Sequence, residues 1–179
     1  MPIQTEEQLR NETLKDVAAK MLLAARTAPK ARGNDNLKLA VATGDTLKEI
    51  ADKMIEFGNR DGRAFFLRDA ANVMKSEAVV LIATTIKTQG LNCALCGFDT
   101  CEAKEQHPKV PCIFNTNDLG IAIGSAVSVA ADNRADNRVM FSIGFTVNEM
   151  RLMDTEDLII FGIPLSSSGK SPFFDRPAV

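Results

Sequence analysis

Apolar residues near the start of the chain recur at helical intervals. Leu14, Val17, Ala18, Met21, Leu22 and Ala25 share one face, and Thr5 and Gln8 stand ahead of them at the spacing of a capping box, which predicts a long first helix ending before Pro29. LKLAVAT (37–43) predicts a strand. Thr46 and Glu49 repeat the capping spacing before Leu47, Ile50, Met54 and Phe57, predicting a second helix that ends at Gly58. AFFLRDAANVMKS (64–76) predicts a third. AVVLIATT (78–85) is an unbroken apolar run rich in β-branched residues. It predicts a buried strand, although periodicity alone also fits a buried helical segment. DLGIAIGSAVSVAADN (118–133) is apolar almost all round and predicts a central buried helix capped by Asn117 or Asp118. Gly120, Gly124 and Ser128 fall on one side of it, where another backbone would find room for close approach. VMFSIGF (139–145) and DLIIFGI (157–163) predict strands, with NEMRLM (148–153) as a helical turn between them. The last sixteen residues, with Pro164, Pro172 and Pro177, predict an extended tail that needs a surface to wrap, such as a second subunit.

At 179 residues and 45% hydrophobic, the chain suits one sizeable core, and we expect a single domain over 1–179. Its 21 basic and 23 acidic side chains are interspersed and leave a net charge of −2. That balance gives no footprint for nucleic acid or an anionic membrane. The first fifteen residues are polar where a signal peptide needs an apolar core, and no apolar run approaches the roughly 20 residues of a membrane span. A cytoplasmic protein is the expectation, and in that reducing compartment clustered cysteines point to metal or redox chemistry before structural disulfides. There is no Trp and no Tyr, so strong colour in the purified protein would belong to a cofactor.

GLNCALCGFDTC (90–101) carries three of the four cysteines, and Cys112 follows Pro111. The spacing is C-x2-C-x4-C-x10-C. Cys93, Cys96 and Cys101 converge on one centre if the loop curls, for which Gly90 and Gly97 supply backbone freedom, and Cys112 closes the set. Four thiolates suit an iron–sulfur cluster or a structural zinc. Zinc ribbons pair two C-x2-C knuckles and this chain has one, so the spacing favours the cluster, with zinc and unmetallated or disulfide-forming thiols as the alternatives. The single histidine, His107, is an alternative fourth ligand that also reads as plain surface.

NCALCGFDTC resembles the N-C-x-x-C-G-[FY]-x-x-C signature of a four-iron ferredoxin-type module, in which the fourth cysteine usually lies further on than Cys112 does. The resemblance implies a [4Fe-4S] cluster in an insert spanning 88–117. MLLAARTAPKARGNDNLKLAVATGD (21–45) resembles the first helix and strand of flavin-dependent nitroreductases, with Asn34 and Asn36 at that family's asparagine and glutamine. The glycine-rich helix and LIIFGIP (158–164) resemble its later helix and closing strand. As a whole, including the ending GIPLSSSGKSPFFDR (162–176), the chain is similar to a family of uncharacterised ferredoxin-domain proteins. What these resemblances imply is a nitroreductase-like α+β homodimer, with a mainly antiparallel sheet flanked by helices and FMN held between subunits by Arg26, Asn34, Asn36, Lys170 and Arg176. The sequence departs from the nitroreductase pattern in having only Arg10 near the place of an arginine-rich phosphate-binding start, Lys30 for a serine, and Leu37 and Lys38 for a proline and a tryptophan.

Plainer readings stand beside these. Arg26 and Arg32 suit the last carbonyls of a helix as well as a phosphate, and Gly-Asn-Asp-Asn around Asn34 and Asn36 is also an ordinary turn. DNRADNR (132–138) reads as a helix end, a turn and a strand start, with Arg138 in solvent. Gly-Lys-Ser at 169–171 lacks the spacing of a phosphate-binding loop, and nothing assembles a Ser-His-Asp triad. Two function classes follow: an oxidoreductase passing electrons between a cluster and FMN or a small-molecule substrate, and a non-catalytic carrier or redox sensor serving a partner protein. A structural zinc protein is the remaining alternative.

Overall fold

AVVLIATT is an unbroken apolar run because it becomes β2 (Ala78–Thr85), a strand covered on both faces. A computed structural model describes residues 3–153 and 158–174 of the chain. In it β2 lies between β1 (Leu37–Thr43) and β4 (Leu158–Ser166), and the two-residue β3 (Asp136–Asn137) pairs with the far side of β4. Every pairing is antiparallel, and the register sets Val41 opposite Val80 and Val80 opposite Ile163.

The two-residue period of the strands sorts their side chains between two cores. Val80, Ile82, Ile163 and Leu165 face α1 (Glu6–Thr27) and α5 (Ile113–Asp132). Val79, Leu81, Ala83, Leu158 and Ile160 face α2 (Asp45–Asp61), α3 (Ala64–Val73) and α6 (Phe141–Glu149). A five-residue helix, α4 (Cys101–Glu105), lies in the connection between β2 and α5. The architecture is the expected nitroreductase-like α+β arrangement of an antiparallel sheet flanked by helices. No helix among the described residues is long and apolar enough to cross a membrane.

Several local expectations are confirmed and others corrected. Thr5 and Gln8 form the capping box, each side chain bonded to the other's backbone. VMFSIGF is not a strand. Ile143, Val147 and Met150 pack at helical spacing, so residues 141–149 form α6, and only Met140 bridges to Gly162. Glycine permits this helix to lie directly on β4: a Cβ at Gly144 would stand 1.7 Å from the Ile160 carbonyl oxygen, and one at Gly162 would stand 2.3 Å from Ile143 Cγ2. Gly44, at φ 60° and ψ −135°, precedes α2 where Thr46 was expected to cap it, because β1 turns sharply into the helix there. The left-handed residue after α2 is Gly62; Gly58 lies inside the helix and admits Leu67 of α3. The N-cap of α5 is Cys112, five residues before Asn117.

α5 is not buried all round, since Gly120, Ile121, Gly124 and Ser128 are exposed. Arg138 is not in solvent either: it is half-buried, donates to the Phe173 carbonyl at 3.1 Å and lies over the Phe174 ring. Phe173 itself is buried in the α2–α3–α6 core, so the tail wraps its own chain at that point. Asp157, Arg176 and Pro177 lie outside the described residues.

Candidate metal centre beyond the central strand

After Thr85 the chain leaves the sheet and runs without regular structure to α4. Left-handed backbone at Gly90 (φ 71°), Asn92 (φ 45°), Ala94 (φ 58°) and Gly97 (φ 87°) curls this segment, a conformation that glycine adopts freely and that a local side-chain bond helps other residues to hold. Asn92 has that bond: its side-chain oxygen accepts from the Cys101 N–H at 2.8 Å while its own N–H donates to Cys101 Sγ at 3.4 Å. Thr100 caps α4, accepting from the Ala103 N–H at 3.1 Å, and so places Cys101 at the first helical position. Cys112 is 6% exposed.

Cys93, Cys96, Cys101 and Cys112 all border one narrow hollow that is partly open to solvent. All four are free thiols. Among the described residues no three His, Cys, Asp or Glu side chains are gathered closely enough to hold a single ion. Four thiols are the donor set that sulfur-ligated groups use, and a negatively charged group at this hollow would lie near the N-terminus of the twenty-residue α5, where the helix dipole favours anions. His107 is not on this hollow. It stacks on Phe98, with centroids 4.9 Å apart, and borders a separate shallow depression with Lys109.

A buried amide network fixes the base of the loop. Asn115, fully buried in the first turn of α5, donates to the carbonyls of Thr85 (3.1 Å) and Lys87 (2.6 Å). Its side-chain oxygen accepts from Gln89 at 2.7 Å and from Asn36 at 3.1 Å. Asn34 donates to the Gln89 side chain at 3.0 Å, and Arg32 to the Gln89 carbonyl at 2.7 Å. Asp118 receives the Ala31 N–H at 3.1 Å. On the other side Lys104, 2% exposed and bordering the hollow, donates from Nζ to the Ile86 carbonyl at 2.7 Å. Gln89, Lys104 and Asn115 escaped the sequence reading, and Asp118 was read there only as a helix cap, because their partners are 18 to 87 positions away.

Residues 109–176 match the family model described as "uncharacterized protein containing a ferredoxin domain (DUF2148)". The matched segment includes Cys112 and α5 but not the other three cysteines. A protein of Archaeoglobus fulgidus, itself described as uncharacterized, is 41% identical over 179 residues, covering 96% of each chain. This chain belongs to that ferredoxin-domain family. Its structural relatives are nitroreductase-like. A nitroreductase-like family protein from Bacillus cereus has a TM-score of 0.61 at 11% identity, covering 92% of this chain and 80% of its own. A nitroreductase family protein from Clostridium novyi has a TM-score of 0.59 at 18% identity, covering 90% and 77%. A BluB-like flavoprotein from Clostridium difficile has 0.56 at 17%, covering 98% and 87%. At such identities the likeness establishes the fold.

In this ferredoxin-domain protein the residues expected to contact flavin divide between two places. Arg26, Asn34 and Asn36 gather near the cysteine end of the sheet, where Leu37 pairs with Thr84. Each is already engaged there: Arg26 bonds Asp35 Oδ2 at 2.6 Å and the Leu37 carbonyl at 3.1 Å, and the two asparagines belong to the amide network. Lys30 donates to the Arg26 and Ala28 carbonyls at the end of α1. Burial pushes the Asp35 carboxyl up, but bonds from Arg26 and the Leu37 N–H and the charges of Arg26 and Lys30 outweigh it and hold the group below the usual carboxylate range. Lys170 is exposed beyond the opposite end of the sheet, where Leu165 pairs with Ala78.

Proposed function

We propose that this ferredoxin-domain protein is an iron–sulfur redox protein whose [4Fe-4S] cluster is held by Cys93, Cys96, Cys101 and Cys112. The observation that carries the reading is that every cysteine of the chain borders one hollow. A cluster there would supply one-electron transfer. The chain's own contribution is placement. The left-handed residues curl the loop, Asn92 ties Cys101 back to it, the start of α5 fixes Cys112, and the amide network anchors the loop to both β2 and the α1–β1 turn. The Asn92 N–H bond to Cys101 Sγ is of the kind that tunes potential at ligating sulfurs. Free thiols of this sort suit a reducing cytoplasm.

The fold neighbours favour a second reading, in which the protein is a flavin-linked oxidoreductase passing electrons between the cluster and FMN or a small substrate. One solved relative is described as an oxidoreductase containing FMN, with a TM-score of 0.57 at 15% identity. The first reading serves as a carrier or sensor for a redox partner protein. We extend either reading to a homodimer through the outward side of α5, where Gly120 and Gly124 open onto empty space and Ile113 and Ile121 are 40% and 39% exposed.

Anaerobic purification followed by iron, sulfide and zinc assays, an absorption spectrum and flavin extraction tests these readings. Broad visible absorption with about four irons and four sulfides per chain supports the cluster. Released flavin supports the oxidoreductase. One zinc and no colour refutes both in favour of a structural site. Light scattering tests the dimer, and a monomer at working concentration refutes it.

A further inference from the structure

We propose that Lys104 is a positioning residue for electrons: its buried positive charge favours the reduced form of a cluster ligated by the four cysteines and so raises its reduction potential. This rests on the iron–sulfur reading above. Lysine is almost never fully buried unless paired, because its ammonium group gives up water. Lys104 is 2% exposed, yet its Nζ has one hydrogen-bond partner, the neutral Ile86 carbonyl, and among the described residues no carboxylate pairs with it. Of the acidic residues on α4, Glu102 is exposed, and Glu105 is exposed and accepts from Thr88 at 2.6 Å. Lys104 borders the same hollow as all four thiols, with Cys101 one helical turn before it on the same side of α4.

Four thiolates around an iron–sulfur core leave the whole group net negative, and one added electron makes it more so. A fixed cation in a medium of low effective dielectric therefore stabilises the reduced form more than the oxidised one. No bond forms or breaks, and no proton is required. A plainer role is also open to Lys104, as a pin holding α4 to the end of β2 through Ile86, and charge and hydrogen bond must be separated.

Lys104→Gln retains an N–H donor without the charge, Lys104→Met removes both, and Lys104→Arg retains both. Each variant is purified anaerobically, assayed for iron and sulfide, and titrated with dithionite as the one-electron donor against mediators at a set ambient potential. The expected ratio of reduced to oxidised centre falls about tenfold in the Gln and Met variants, equivalent to about 59 mV for one electron, while Arg stays within about twofold of wild type. Gln or Met variants that hold no iron while Arg does also support the charge. The proposal is overturned if iron-loaded Gln and Met variants titrate with wild type, if Arg falls as far as Gln, or if all three lose iron together. A wild-type protein without iron overturns the iron–sulfur reading itself and this proposal with it. Should Met fail to fold, the comparison of Gln with Arg still decides.

Discussion

Asn115→Ala removes the side chain on which the base of the cysteine loop converges. Its amide uses its full capacity of two donors and two acceptors: Thr85 and Lys87 carbonyls on one side, Gln89 and Asn36 amides on the other. A protein hydrogen bond is worth about 1 kcal/mol net, and more where the abandoned partner has no access to water. Asn36 is half-buried and Lys87 exposed, so water recovers part of those two bonds, whereas Gln89 is 4% exposed and recovers little. The sum is a loss of about 2–3 kcal/mol, which for a domain of this size lowers the melting temperature by roughly 4–12 °C. Far-ultraviolet circular dichroism is the assay of choice, since a chain without Trp or Tyr offers no useful fluorescence. Asn115→Asp should lose at least as much, because a carboxylate has no donor for the two carbonyls it faces. Asn117→Ala, exposed on the same helix, is the control. An Asn115→Ala protein that melts with wild type and with that control would show that the network carries no load.

Gly144→Ala places a methyl group inside the Ile160 carbonyl and should cost about 1–3 kcal/mol or more by overpacking, whereas Gly169→Ala, with open space around it, should be close to neutral; urea unfolding separates the two. Cys96→Ser should abolish iron binding and colour in the anaerobic protein while leaving the circular dichroism melt nearly unchanged, because neither core includes the loop; global unfolding would instead make the metal a structural staple. Asp35, held below its ordinary range when folded, contributes stability that is fully present above about pH 4 and is lost as pH falls through its folded value. Asp35→Asn should remove that part of the acid dependence in a pH-resolved melt, and because the pair with Arg26 is partly exposed the cost at neutral pH should stay below about 1 kcal/mol.

The sheet and the thiol set were largely legible from residues alone, because their signals are local. AVVLIATT announced a strand covered on both faces, and the cysteine spacing drew attention to four thiols that border one hollow. VMFSIGF misled because seven residues are too few to separate a two-residue period from a helical one; Met150 was needed to show that the repeat is helical. The cap at Cys112 was hidden because a thiol is not a usual capping group, and its side chain makes no capping bond. Asn34 and Asn36 drew attention through their motif, but their partners Gln89 and Asn115 are identifiable only once distant segments meet. Lys104 reads as an ordinary surface lysine on a short polar helix until the fold closes over it.

The placement of Cys112 and Asn115 at the head of α5 has a temporal corollary during synthesis. A growing polypeptide that has emerged only as far as residue 110 presents three sulfurs on a strip of peptide lacking both its fourth sulfur and the amide that secures its footing. On the iron–sulfur reading, a four-thiolate site would be complete only after the next helix has begun to form, and a ribosome stalled in that interval would leave three thiols open to adventitious oxidation.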